Sequence, residues 1–553
     1  MVSPPPTPPS RPVLSKECRF KTITSPCEWI EDYRPGGYHP VLLGDLFNNG
    51  QYKVIRKLGE GSYSTVWLAY DDWENRYVAL KIPVAEASGS EVRILRHIAG
   101  VAPADGQRYV TQLLNEFEHH GPNGTHKCLV FEPMGPSVNT MVEELPQFKP
   151  RRREMKVRYP LDMAKSILKQ SLQALAFLHS NGVAHGDFQP GNILFALKDL
   201  SLVSKDKLWQ AEDVQTRSIS PLVQRLDGKQ DNWAPRYLCI AQPLALFTYY
   251  GKDFKIKLSD MGGSYFLDNP PLKQVIPLGL RSPELILTGE VDKSLDIWSF
   301  GCLAFELLTG QPLFCIPGSK YEDDDHLLSL TARLGALPDR LFKYWKASSR
   351  YLTPDRRLFN CQLGGVPEGG EPLMVQQASM EELFDLAGPD IDEEERRQVK
   401  KLIRWILQYD PAKRPSPADI LLDPWFRGVE GDRNSSNVSF VQFLETEATF
   451  QRWARLYQAD IHWSHNPGPP RSSRLYYACL HGLVAAVRDL IGKGADVNVR
   501  GGEYGSALQA ASHVGHDGIV DMLLRKGANV NAQGGQYGGA LQGAAFGRHK
   551  KSI

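Results

Sequence analysis

Asp187 and Asn192 lie in the stretch His185-Gly-Asp-Phe-Gln-Pro-Gly-Asn192. This spacing sets a carboxylate that can accept a hydroxyl proton near a carboxamide oxygen that can ligate magnesium. Three further features stand in a fixed order around it. Leu58-Gly-Glu-Gly-Ser-Tyr-Ser-Thr-Val66 places Gly59 and Gly61 where a hairpin can lie against phosphates, because a Cβ would hold the backbone amides off the phosphate oxygens. Val78-Ala-Leu-Lys81 brings an ammonium for the α- and β-phosphates, and Asp260-Met-Gly262 brings a second hard oxygen ligand. Alone, each has a bland reading: a chance loop, a tight turn, a turn aspartate. In this order they amount to transfer of a nucleotide phosphoryl group to a hydroxyl.

Strands must carry the first features and helices the rest. Val54-Ile55, Thr65–Leu68 and Tyr77–Ile82 are apolar and partly β-branched, and predict strands. Met163, Ile167, Leu168, Leu172, Leu175 and Leu178 share one face of a helix over 161–180. Residues 296–308 are apolar nearly all round, as in a central buried helix. Strands first and helices later predict an α+β fold, a small sheet lobe on a larger helical lobe. Two insertions interrupt it, at about 196–254 and 316–395. The second carries the acidic run Glu322–Asp325, read as a solvated loop, with docking of substrate arginines as the alternative.

At 553 residues the chain has room for several domains. A net charge of +1 gives no global field toward nucleic acid or membrane, so neither is expected as a direct partner. The eight cysteines show no zinc spacing and predict free thiols in a reducing compartment, the cytoplasm. The basic run Arg151–Arg153 reads as a solvated loop, or as a signal that adds the nucleus. Asn123, Asn434 and Asn437 head N-x-S/T triplets that a cytosolic chain leaves unused. Residues 1–17 read as a disordered proline-rich arm and 429–472 as a linker.

Gly494-Ala-Asp-Val-Asn498 recurs as Gly527-Ala-Asn-Val-Asn531, and Tyr504-Gly-Ser-Ala-Leu-Gln509 as Tyr537-Gly-Gly-Ala-Leu-Gln542. Both offsets are 33 residues, the ankyrin period. Residues 473–553 are therefore read as an all-α stack of two repeats and part of a third, a site for an unknown protein partner. A stack this short is expected to be marginal alone.

Residues from about 50 to 428 resemble the eukaryotic protein kinases, and 18–428 are read as the kinase domain. The flanks Glu31-Asp-Tyr-Arg-Pro-Gly-Gly-Tyr-His-Pro-Val41, Gly44-Asp-Leu-Phe47 and Tyr52–Gly59 are similar to the serine/arginine-rich protein-specific kinases, as is the spacer before Asp260. The resemblance implies a bilobal kinase fold, ATP and Mg²⁺, and transfer to serine in Arg/Ser-rich proteins. It implies ATP contacts from Leu58, Gly59, Glu60, Gly61, Ser62, Tyr63, Ser64, Val66, Ala79, Lys81 and Leu194, with Glu132 and Met134 offering backbone groups to adenine. Asn192 and Asp260 would hold metal. Asp187, Lys81 and Gln189 would be the catalytic group. Glu91, with Glu86 as a substitute, would pair with Lys81; the short gap suggests a helix lacking its first turn. Glu284 with Arg414, and Asp296, would be structural.

Several positions depart from that family. Gln189 stands where a lysine partly neutralises the transferring phosphoryl group, and Pro277 where a threonine is usual. Leu278-Gly-Leu280 makes the substrate platform apolar, and Ala332 and Arg333 fall near a position that is usually acidic. Gly186 replaces the arginine that pairs with an activation-loop phosphate, and no threonine lies between Asp260 and Glu284. Activity independent of loop phosphorylation follows as an expectation. Two functional readings stand at this point: a serine/threonine kinase, and a nucleotide-binding scaffold without transfer.

Overall fold

A computed structural model describes residues 17–87, 90–101, 107–145, 157–249, 253–314, 320–375, 377–387, 391–427, 472–480 and 484–546, with positions 8, 148 and 251. Nearly all of the proline-rich arm and of the expected linker, together with Arg151–Arg153, Asn434, Asn437 and the basic end Arg548–Lys551, lie outside these residues. The chain divides into two compact units, Met1–Val429 and Glu430–Ile553.

In the first unit, β1 (Leu46–Phe47), β2 (Tyr52–Gly61), β3 (Ser64–Asp71), β4 (Arg76–Pro83), β5 (Leu113–Gly121) and β6 (Gly124–Phe131) form one antiparallel sheet. Their order is β1-β2-β3-β4-β6-β5. The β2–β3 hairpin turns at Ser62 and Tyr63. Lys81 is opposite Val66 on one side and Leu129 on the other, so paired neighbours on both sides hold its backbone. Helix α1 (Ser90–Val101) begins one residue before Glu91 and packs on the turn after Asp260.

The helical lobe is built around α2 (Leu161–Ser180) and α3 (Ser294–Thr309). Ile167, Leu168, Leu172, Leu175 and Leu178 are fully buried, and Met163 packs at the edge of the same core. Helices α4 (Glu322–Leu334), α5 (Met380–Ala387) and α6 (Glu393–Ile406) close it. Asp392 caps α6 by accepting from the Glu395 amide, and three glutamates in the first turn suit the helix dipole. The acidic run is not the expected solvated loop. It is the first turn of α4, where acidic side chains also suit the dipole, and Asp324 accepts hydrogen bonds from Trp345 and Tyr351.

Two short ribbons carry the loops that matter. Strand β7 (Val183–Ala184) pairs with β10 (Tyr265–Phe266), and β8 (Ile193–Phe195) with β9 (Ile256–Leu258). The 185–192 loop thus runs from β7 to β8, and Asp260 lies between β9 and β10.

The described residues of the 196–254 insertion form a cover on the outer sheet. Ile219, Tyr237 and Cys239 join the core made by Val54, Trp67 and Val78, while Leu200, Leu208 and Leu244 pack on Ile55 and Leu68. Gln210 accepts from the Lys57 amide at 2.8 Å, and Arg56 donates to the Leu208 carbonyl at 2.8 Å. The N-terminal segment joins the same cover. Lys57, fully buried, pairs with Glu28 and with Glu60, and donates to the Cys239 carbonyl. Asn123 is buried too, its amide donating to the Tyr38 and Trp233 carbonyls, so this triplet is not presented to solvent.

In the second unit, α7 (Arg474–Leu480), α8 (Val484–Gly492), α9 (Ala507–Val514), α10 (Asp517–Arg525) and α11 (Ala540–Phe546) surround one small core. The repeated residues tie neighbours together: Asn498 donates to the Gly527 carbonyl and accepts from the Asn529 amide, and Gln509 donates to the Gly534 carbonyl.

Candidate active site

Neither Gly59 nor Gly61 has a left-handed backbone, and a Cβ on either would meet nothing within 4 Å. Internal packing therefore does not demand glycine here, which removes the tight-turn reading and leaves an approach from outside the chain. Tyr38 donates to the Gly61 carbonyl at 2.6 Å and holds the hairpin edge. Leu58, Val66 and Leu194 are half-buried, Ala79 and Met134 are buried, and Ser62 and Tyr63 stand exposed at the tip. The carboxylate of Glu60 turns to Lys57. Glu132 accepts from Lys257 at 2.5 Å, and among the described residues no other backbone group engages the Met134 amide or carbonyl.

Lys81 donates to both oxygens of Glu91, at 2.7 and 2.9 Å, and to Asp260 at 2.9 Å. Burial works to discharge the ammonium, but the two carboxylates outweigh it and hold its pKa above the ordinary value. Burial likewise pushes Glu91 up, with Lys81 opposing it. For Asp260, burial is outweighed by Lys81, which keeps the carboxyl ionised below its usual range. Helix α1 begins at Ser90, so Glu91 stands in its first turn, in keeping with the short gap after Lys81; Glu86 instead pairs with Arg34 at 3.1 Å.

Gln189 donates to both carboxylate oxygens of Asp187, at 2.8 and 2.9 Å. Asn192 donates to one of them at 2.9 Å and to the Asp187 carbonyl at 2.9 Å. Burial raises the Asp187 pKa, and the Gln189 and Asn192 hydrogen bonds limit the rise. Because the amide nitrogen of Asn192 is used in this way, its oxygen is left for a cation. Asp260, with φ of 60°, supplies the second oxygen. Among the described residues no cluster of three or more His, Cys, Asp or Glu makes a metal cage. Two oxygen donors near a phosphate site nevertheless fit magnesium, which keeps waters and takes phosphate oxygens as further ligands.

Asp296, buried in α3, accepts from the His185 and Gly186 amides and from His179, each at 2.8 Å. Arg414 meets Glu284 in a buried fork at 2.6 and 2.7 Å. Gly186 has φ of 75°, and a Cβ there would meet the Gly263 carbonyl at 2.3 Å. Gln274 occupies the neighbouring space, donating to the Gly186 carbonyl at 2.8 Å and to the Gly263 carbonyl at 2.9 Å. Gln274 and Tyr38 are absent from the sequence expectations because their partners are backbone atoms, which leave no residue-type signal.

The protein kinase domain family matches residues 52–205 and 246–426, a gap that coincides with the outer cover. The chain belongs to the protein kinase family. The kinase is 30% identical to "Serine/threonine-protein kinase SRPK" of Physarum polycephalum, over 73% of this chain and 92% of that one. It is 28% identical to "Protein kinase dsk1" of Schizosaccharomyces pombe, over 73% and 85%. It is 25% identical to "SRSF protein kinase 3" of Mus musculus, over 71% and 89%. An ankyrin repeat family matches residues 505–535. The kinase is a serine/threonine protein kinase, an enzyme whose family uses ATP and usually Mg²⁺, and its substrates are proteins. Nothing favours the scaffold reading over the enzyme.

Proposed function

We propose that the kinase transfers the ATP γ-phosphate to serines in Arg/Ser-rich proteins. The observation that carries the transfer chemistry is the meeting of Lys81, Glu91 and Asp260 in one charge chain beside a hydrogen-bonded Asp187–Asn192 pair. The likeness to relatives named for SRPK and SRSF supports the substrate class. Magnesium, held by Asn192 and Asp260, would supply charge neutralisation at the phosphates. Gly59 and Gly61 let the β2–β3 backbone close on them, and Lys81 fixes their position. Asp187 orients the substrate hydroxyl and takes its proton. Catalysis is thus mostly positioning and charge placement. The ankyrin unit binds a protein partner. The free thiols among the described residues fit a reducing compartment, cytoplasm or nucleus.

The test is phosphate transfer from labelled ATP with Mg²⁺ to an Arg-Ser-repeat peptide and to a generic basic substrate. The wild type should label the Arg-Ser peptide, and Asp187→Asn should lose on the order of 100- to 10,000-fold. Label confined to the generic substrate would remove the Arg/Ser assignment, and no transfer would remove the enzyme.

A further inference from the structure

The turn of the β2–β3 hairpin, exposed at Ser62 and Tyr63, is anchored from two directions. The Tyr63 carbonyl accepts from the Val84 amide at 2.9 Å. The Gly61 carbonyl accepts from the Tyr38 phenol at 2.6 Å, and Tyr38 lies 23 positions earlier, before the sheet begins. The segment that presents Tyr38 is itself held firmly. The Gly36 and Gly37 carbonyls accept from the Glu86 and Ala85 amides at 2.9 and 3.1 Å, and Arg34 pairs with Glu86. Gly36 donates to the Asn123 carbonyl at 2.8 Å, and the Asn123 side chain donates back to the Tyr38 carbonyl. Gly37 has no room for a side chain, since a Cβ would meet the Asp32 carbonyl at 1.9 Å. The Tyr38 ring is buried beside Tyr33, with centroids 5.7 Å apart. Burial, and then the Asp32 carboxylate, raise the pKa of its phenol, so the donated proton stays in place.

A trans peptide directs its C=O and the following N–H to opposite sides. With the Gly61 carbonyl turned to Tyr38, the Ser62 amide is turned away from it, and among the described residues no backbone carbonyl accepts from that amide. We propose that Tyr38 is a positioning residue for ATP: its phenol fixes the Gly61–Ser62 peptide so that the Ser62 amide donates to a phosphate of the nucleotide. The proposal rests on the nucleotide reading of this site and adds to it a residue that touches no nucleotide. A hairpin arm with glycine at 59 and 61 loses conformational freedom when it closes on phosphates. A bond already formed before the ligand arrives lowers that cost. The hydroxyl carries this effect, while the ring packs in the core.

The experiment compares binding of ATP with Mg²⁺ and of adenosine to the full-length kinase by calorimetry, for the wild type, Tyr38→Phe, Ser62→Pro and the double variant. Adenosine lacks the phosphates, so it reports on the rest of the pocket alone. Tyr38→Phe removes only the hydroxyl. ATP should bind it roughly 3- to 10-fold more weakly, the net effect of one hydrogen bond, with adenosine affinity within about twofold of the wild type. Ser62→Pro removes the amide proton itself at an exposed turn and should lose ATP affinity by a similar factor. The two losses should not add in the double variant, because both act on one bond. Equal weakening of ATP and adenosine in Tyr38→Phe would mean that Tyr38 only supports the fold, and overturns the proposal. Unchanged ATP affinity in either single variant, or additive losses, overturns it too. If Tyr38→Phe does not fold, Ser62→Pro decides: selective loss of ATP supports the proposal, and retained ATP affinity overturns it. A wild type that binds no ATP would fail the nucleotide reading itself, and the proposal with it.

Discussion

Gln189 is an amide where a charged residue would face the transferring phosphoryl group, and it spends both its hydrogen bonds on Asp187. It can hold the base but cannot lower the charge of the transition state. Losing a preorganised donor costs on the order of 3–4 kcal/mol of barrier, and retained hydrogen bonding makes the loss smaller. Gln189→Lys should therefore raise kcat by roughly tenfold, with little change in KM for ATP. An unchanged or lower kcat in steady-state assays would show that clamping Asp187 matters more than charge. Gly186 makes the opposite case. Its left-handed backbone and the carbonyl of Gly263 leave no room for a side chain. Restoring the family residue with Gly186→Arg should destabilise the fold by at least roughly 1–3 kcal/mol rather than create a phosphate switch. Thermal unfolding checks this, and an unshifted Tm would refute it. Lys81, Asp187, Asn192 and Asp260 were legible because each sits in a motif whose spacing is local. Gln274 was not, since it speaks only to backbone carbonyls at Gly186 and Gly263.

At the scale of elements, the sheet lobe contains a histidine cluster that makes it sensitive to acid. His39 stacks edge-on with His119 and His126, with ring centroids 4.5 and 5.0 Å apart. Burial, and then the two neighbouring rings, push its pKa from 6.5 down to about 3. An unfolded chain therefore binds this proton first as pH falls through 6.5, and stability drops until the folded group also titrates near pH 3. At pH 5 the loss is about 2 kcal/mol from His39 alone. Urea denaturation at pH 7 and pH 5 should show this gap shrinking in His39→Phe; an equal gap in the variant would assign the acid sensitivity elsewhere. The core strands were legible from their apolar runs, and so was the central helix. The outer cover was legible only as an insertion. Gln210 meets Lys57 across 153 positions and Cys239 meets it across 182, and no local pattern reports such pairings. The acidic run was misread for a related reason: Asp324 takes its partners from Trp345 and Tyr351, which lie beyond the reach of a local reading.

At the scale of the whole molecule, every group assigned to transfer lies in the Met1–Val429 unit, together with the Glu284–Arg414 fork. A chain ending at Val429 should keep its kcat on a short peptide within about twofold, because it retains every group assigned to transfer. Loss of transfer would show that the ankyrin unit completes the enzyme. The repeat itself was legible from its 33-residue offset, and Asn498 and Gln509 show the physical reason: each repeated side chain bonds the backbone of the next repeat.

Lys57 sets a practical boundary for anyone who would shorten this protein. A fragment cut to residues 52–426, where the family match begins and ends, would discard Glu28. It would leave the buried ammonium with only the Glu60 carboxylate and the Cys239 carbonyl as partners. Removing one member of a buried pair costs roughly 3–5 kcal/mol, against a total stability of roughly 5–15 kcal/mol. Such a fragment should emerge insoluble from expression, whereas one starting at Glu17 should not. The unit that recombination or cloning can move intact is therefore longer than the unit that sequence comparison outlines.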